Sequence, residues 1–234
     1  MEPCQSGLTY LFAKEAGDSN PLDGSNPSGS ADLFHKKEAK RRICYNFVVM
    51  KTILFDFFGV LSTPVYKKII EKFVPENEQA AWIQKLDALD TGELPENELV
   101  RQLSEKSNLS ESDIWTEVKN TPKINYELFD FIEKNLKGKY KIGLLTNIPR
   151  SLIERMVPEK LGMFDLIMIS SDLQLIKPSK EIFEVAIQRS GCTPQEILFI
   201  DDGEKNIKVA KSLGLNGIVY TDFPSFILEL KKII

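Results

Sequence analysis

Four polar stretches in this chain stand directly after apolar runs, and their residue types suit chemistry on phosphorus. Asp56 follows Ile53-Leu54-Phe55, and Thr146-Asn147 follow Ile142-Gly143-Leu144-Leu145. Lys177-Pro178 come after a third run and a short loop, and Asp201-Asp202 follow Ile197-Leu198-Phe199-Ile200. A single polar residue after a buried strand ordinarily caps or turns the chain, but all four in this order form a constellation. Three carboxylates in one crevice repel one another unless a divalent cation neutralises them, and an all-oxygen donor set suits Mg²⁺. A carboxylate can attack phosphorus and form an aspartyl-phosphate, dividing one difficult hydrolysis into two easier steps. The charge of a transferring phosphoryl group then calls for a cation and fixed donors, which Lys177 and the Thr146 hydroxyl supply. Asn147-Ile148-Pro149 is expected to open a helix whose free N–H groups face an anion.

Other chemistries are excluded by what the chain contains. His35 is its single histidine and lies in a polar stretch, so two-histidine zinc sites are ruled out and Ser-His-Asp or Cys-His mechanisms have no support. No Gly-x-x-x-x-Gly-Lys-Ser/Thr or Gly-x-Gly-x-x-Gly loop occurs, which removes the usual nucleoside-triphosphate and dinucleotide sites. Lys+Arg 30 against Asp+Glu 34 give a net charge of -4, so no nucleic-acid partner is expected. Nor is a membrane partner, because no apolar run approaches the roughly 18 residues of a spanning helix. The first residues lack a secretory pattern, and Cys4, Cys44 and Cys192 read as free thiols, which points to the cytoplasm. With no coiled-coil pattern, a monomer is the default.

The elements that must position these residues can be read from periodicity. Apolar runs at Thr52–Phe55, Ile142–Leu145, Leu166–Ile169, Ile197–Ile200 and Gly217–Tyr220 suit strands buried on both faces. Helical stripes separate them, such as Ile182, Phe183, Ala186 and Ile187, then Ile207, Ala210 and Leu213. The alternation predicts an α/β fold, a Rossmann-like parallel sheet with helices on both faces. In such a sheet ligands bind beyond the carboxyl ends of the strands, where all four polar stretches fall.

One interval breaks the alternation. Residues 64–122 carry helix signals (Ile69, Ile70 and Phe73; Trp82, Leu86 and Leu89; Leu99 and Leu103) and a capping box at Ser110-x-x-Asp113. They read as a small all-helical domain inserted after the first strand, with Trp82 and Trp115 in its core and Tyr66 anchoring its hinge. Residues 50–63 and 123–234 then form the α/β core, and Tyr126–Leu136 returns to it as a helix. Residues 17–30 are rich in Gly, Ser, Asn and Pro, and Lys36–Arg42 is a basic run. Residues 1–49 are therefore expected to be a disordered, dispensable or non-native N-terminal extension.

Over about residues 51–234 the chain resembles the haloacid dehalogenase-like (HAD-like) hydrolases. Ile53-Leu54-Phe55-Asp56-Phe57-Phe58-Gly59-Val60-Leu61 resembles the first family motif, Leu144-Leu145-Thr146-Asn147 the second and Lys177-Pro178-Ser179-Lys180-Glu181-Ile182-Phe183 the third. Phe199-Ile200-Asp201-Asp202-Gly203-Glu204-Lys205-Asn206-Ile207 resembles the fourth. The resemblance implies Asp56 as nucleophile, with Thr146, Asn147 and Lys177 holding the substrate phosphate. It also implies Asp56, the Phe58 backbone carbonyl, Asp201 and Asp202 as Mg²⁺ ligands. The helical insertion matches the subfamily I cap, which closes over the substrate.

One position departs from the family pattern. Its phosphatases carry a second Asp two residues after the nucleophile, to protonate the leaving group and activate water; here that residue is Phe58. General acid–base help is worth about 10²–10⁴ in rate. The expectation is an Mg²⁺-dependent phosphatase for a small phosphorylated metabolite. The alternatives are a silent relative that binds a phosphorylated ligand or partner, and a 2-haloacid dehalogenase. The acid pair at Asp201-Asp202 speaks against the dehalogenase, whose family members use no metal.

Overall fold

The structure, a computed structural model, describes residues 49–234. The expectations for residues 1–48, including Cys4, His35 and Cys44, fall outside the described residues. β1 (Thr52–Phe55) is buried at every position. A strand of that kind needs cover on both faces, and β1 lies at the centre of a five-stranded, all-parallel sheet ordered β3-β2-β1-β4-β5. Its neighbours are β2 (Lys141–Thr146) and β4 (Ile197–Asp201), with Ile53 opposite both Ile142 and Leu198. β3 (Leu166–Ile169) and β5 (Asn216–Val219) form the edges. This is the Rossmann-like α/β fold that the alternation predicts. The chain first builds outward from β1 through β2 to β3, then crosses to β4 and β5 on the other side. The resulting switch point lies at the carboxyl ends of β1, β2 and β4.

After β1 the chain forms four helices before it returns to the sheet: α1 (Tyr66–Phe73), α2 (Glu76–Thr91), α3 (Glu96–Ser107) and α4 (Glu111–Asn120). They share an apolar cluster containing Ile69, Ile70, Trp82, Leu99, Leu103 and Ile114, with Trp115 packed at its margin. α4 starts at the capping box predicted from spacing: the Ser110 hydroxyl accepts from the Asp113 N–H, and the Asp113 carboxylate accepts from the Ser110 N–H. α5 (Tyr126–Phe131) then returns to the sheet. Sequence periodicity predicts one helix over Tyr126–Leu136, but its second half is a wider π-helical turn, Ile132–Leu136, closed by the Lys137 N–H donating to the Ile132 carbonyl at 2.9 Å. The wider turn keeps both Ile132 and Leu136 buried.

The remaining helices are α6 (Arg150–Met156), α7 (Ser170–Leu173), α8 (Lys180–Ser190), α9 (Glu204–Ser212) and α10 (Phe223–Leu230). Alternation along β1 sends Ile53 and Phe55 to one face, against Leu128 and Phe129 of α5 and Phe226 of α10. Leu54 faces the other way, into a cluster with Phe183 of α8 and Ile207 of α9. Each such side chain contributes about 1.5–3 kcal/mol when fully buried. That holds the strand ends rigid enough to present charged groups. No helix among the described residues is long and apolar enough to cross a membrane.

Candidate active site

The carboxyl ends of three adjacent strands bring together the polar residues singled out from sequence. Asp56 leaves β1 buried, and its Oδ1 accepts a hydrogen bond from the Phe57 N–H at 2.7 Å. Lys177 reaches in from the loop between α7 and α8 with its side chain 1% exposed. Its Nζ lies 2.8 Å from Asp56 Oδ1 and 2.6 Å from Asp201 Oδ2 at the end of β4. Asp201 is wholly buried, and its other oxygen accepts from the Gly203 N–H at 2.7 Å and from Asn206 Nδ2 at 2.8 Å. Asn206 stands in the first turn of α9. It fixes an acid of the cluster.

Asp56, Asp201 and Asp202 each present a carboxylate oxygen, and the three atoms lie within 4.8 Å of one another. Opposite ligands of one Mg²⁺ stand roughly 4.2 Å apart, twice its usual bond length, so the donor set suits the ion in both chemistry and span. Charge favours a cation as well, because the Lys177 ammonium leaves one of its two carboxylate partners uncompensated and Asp202 adds another. Burial raises Asp56, with the Asp201 charge adding to it and Lys177 opposing, to about 7. Asp202 is raised too, by burial and then by Asp201. Burial alone would lower Lys177, but the carboxylates of Asp56 and Asp201 outweigh it and keep the ammonium protonated.

Glycine makes this approach of carboxylates possible. Gly59, in the turn after Asp56, has φ +84°, and a Cβ there would stand 2.1 Å from Asp202 Oδ2. Only a residue without a side chain admits both the left-handed turn and the neighbouring acid.

Thr146 ends β2 fully buried, and its Oγ1 has no hydrogen-bond partner among the described residues. An unpaired buried hydroxyl costs about 1–3 kcal/mol, so this donor is free for an anion. Asn147 is used differently. Its Nδ2 donates to the Lys177 carbonyl at 2.9 Å, and its Oδ1 accepts from the Lys177 N–H at 2.9 Å. The side chain therefore ties two loops together, and only the Asn147 backbone is left to meet a phosphate. Pro149 takes the N-cap position of α6, one residue before the helix.

Phe58 is half-buried, edge-on to Phe57 at 5.5 Å between ring centres, and it packs against both the sheet core and the insertion. It lines a cavity of about 80 Å³ together with Val65, Leu89, Asp90, Asn147 and Leu152. Asp90, on α2, has no motif to betray it in sequence. Burial, then the charges of Asp56 and Asp87, raise its carboxyl to about 8, with Lys177 opposing. Tyr66 also lines the cavity, but its hydroxyl is spent: it donates to Glu96 at 2.7 Å, at the hinge of the insertion.

Comparison with known proteins follows the same outline. The family model described as haloacid dehalogenase-like hydrolase matches residues 50–214. The D-ribitol-5-phosphate phosphatase of Bacteroides thetaiotaomicron is 28% identical over 71% of this chain and 89% of that protein. Bifunctional epoxide hydrolase 2 of Rattus norvegicus is 26% identical over 54% of this chain, and the match spans only 24% of that protein's length. Among solved structures, a HAD family enzyme of Bacteroides thetaiotaomicron in complex with magnesium and inorganic phosphate has a TM-score of 0.61 at 24% identity. It covers 76% of this chain and 98% of that one.

Proposed function

The chain belongs to the haloacid dehalogenase-like hydrolases, and from that premise we propose that it is an Mg²⁺-dependent phosphatase acting on a small phosphate monoester. What carries the proposal is the pairing of a buried carboxylate cluster, which one lysine leaves uncompensated, with a Thr146 hydroxyl on the neighbouring strand that has no partner among the described residues. Relatives that are themselves phosphatases of phosphorylated carbohydrates support it.

In the mechanism, an oxygen of Asp56 attacks phosphorus and the bond from phosphorus to the ester oxygen breaks, leaving the phosphoryl group on Asp56. The Thr146 hydroxyl and the Asn147 backbone hold the transferring oxygens, and Lys177 balances their growing charge. Water then attacks the phosphoryl group, releasing orthophosphate and restoring the Asp56 carboxylate. Mg²⁺, held by Asp56, Asp201, Asp202 and the Phe58 carbonyl, would supply charge neutralisation to the phosphoryl oxygens. We take residues 64–122 as a cap that shields the site from water, over a core of residues 50–63 and 123–234. The setting we assign is a monomer in the cytoplasm, with a small phosphorylated substrate and neither nucleic acid nor membrane as partner.

The test is a panel of phosphorylated metabolites assayed with Mg²⁺ and with EDTA. Hydrolysis that vanishes with EDTA and returns with Mg²⁺ is expected. Binding of esters without turnover, or metal-indifferent dehalogenation of 2-chloropropionate, would replace the proposal by a silent relative or a dehalogenase respectively.

A further inference from the structure

A departing alkoxide needs a proton, and the side chain two residues beyond Asp56 has none to give. Of the donors around Asp56, the Thr146 hydroxyl is assigned to the phosphoryl oxygens and the others are already committed. Lys177 holds Asp56 and Asp201 at 2.8 and 2.6 Å, and Asn147 is paired with the Lys177 backbone. Across the cavity from the core residues, the wall is made by the insertion. Leu86, Leu89 and Val65 are apolar there, the Tyr66 hydroxyl is occupied by Glu96, and Lys67, the other charged residue of the lining, is solvent-exposed. Asp90 is the one carboxyl in the lining.

Its position is held from both sides. The Ser170 hydroxyl of α7 donates to the Asp90 backbone carbonyl. Two residues on, Gly92 turns left-handed with φ +82° and ends α2 close against Ser171, which a Cβ at 92 would meet at 3.4 Å. The end of α2 is thereby fastened to the core domain beside the site. The Asp90 carboxyl itself makes no hydrogen bond or ion pair with another described residue, while Asp56 and Lys177 are near enough for their charges to act on it. A mostly apolar cavity favours the uncharged acid, the form that can donate.

We propose that Asp90 supplies the proton which the residue at position 58 cannot, an inference that rests on the phosphatase reading above. As Asp56 attacks, the ester oxygen keeps the electron pair of the breaking P–O bond and takes the Asp90 proton, leaving as the neutral alcohol. Asp90, now a carboxylate, accepts a proton from the water that attacks the phosphoryl group on Asp56. Orthophosphate leaves, and both acids return to their starting forms.

The experiment compares an ester that needs no proton, p-nitrophenyl phosphate, with one that does, glycerol 2-phosphate, at saturating Mg²⁺. Asp90→Asn and Asp90→Ala are measured on protein whose melting temperature matches wild type. The ratio of alkyl to aryl kcat is expected to fall by about 10², and Phe58→Asp added to Asp90→Asn should restore most of it. A merely structural Asp90 would lower both esters together. An active wild type whose ratio survives both substitutions overturns the assignment of the proton alone. A wild type inert towards both esters overturns the phosphatase reading and this inference with it.

Discussion

Two of the charged clusters in the described part of the molecule invite comparison, one at the seam between the helical insertion and the core, the other at the end of the sheet. At the seam, Glu96 accepts four hydrogen bonds: from Tyr66 at 2.7 Å, Ser151 at 2.6 Å and both Arg155 Nη atoms at 3.0 and 3.2 Å. The Arg155 guanidinium in turn lies 4.4 Å over the Trp115 ring. At the sheet end, Lys177 is shared between two carboxylates, a third stands close by, and the Thr146 hydroxyl has no partner among the described residues. Burial pushes Glu96 up, yet its hydrogen bonds from Arg155, Ser151 and Tyr66 bring it below the ordinary range. Asp56 goes the other way. A buried acid whose lone pairs are filled serves architecture, whereas one left short of partners in a crevice is a candidate for chemistry.

Three substitutions would break or sharpen that contrast. The largest effect belongs to Asp56→Asn, which should reduce phosphate-ester turnover by on the order of 10⁴ or more while leaving the circular dichroism spectrum and melting temperature near wild type. Undiminished hydrolysis would erase the distinction between the clusters. Next is Lys177→Met, which leaves Asp56 and Asp201 buried without their cation. Stability in urea should fall by about 3–5 kcal/mol, more than for any single change at the seam. An equal or smaller loss would mean the sheet-end charges are not coupled as their distances imply.

The smallest effect is expected at the seam, from Glu96→Gln. It should cost about 1–2 kcal/mol near neutral pH, the difference between charged and neutral hydrogen bonds, with turnover on p-nitrophenyl phosphate less affected. Because the folded pKa of Glu96 lies below the unfolded value of about 4.3, its contribution is complete above that pH. It disappears as pH falls through the lowered folded value. The gap between wild type and variant in urea melts should therefore be constant above about pH 5 and close in more acidic buffer. A gap that is flat down to the acid limit would show that charge plays no part there.

Sequence carried much of this architecture and only part of the site. β1 and β3 coincide with their apolar runs, Thr52 being the one polar side chain in the two strands. β2 reaches further, to Lys141 and Thr146, because backbone pairing continues past the apolar stretch. Strand order leaves no mark in local periodicity, for it depends on which face each crossover helix covers. Asp56, Thr146 and Asp201 were legible because each stands at the end of a buried run and the sheet gathers such positions, whereas Lys177, in the loop between α7 and α8, was legible only through its motif. Asp90 was not. It shares α2 with Asp87, one turn earlier, and only the packing of the insertion decides which of the two faces Phe58. Asn206 was visible in its motif, but that its partner is Asp201, five residues earlier on β4, was not.

The turn at Gly59 has a consequence beyond its backbone angle. Asp202 comes as near as it does because position 59 offers it a hydrogen atom in place of a methyl group. The tightness of the loop and the spacing of negative charge are thus one variable: whatever enlarges that position must also drive an acid outward. A lineage adjusting this bend would be retuning its grip on cations at the same stroke, without altering a single carboxylate.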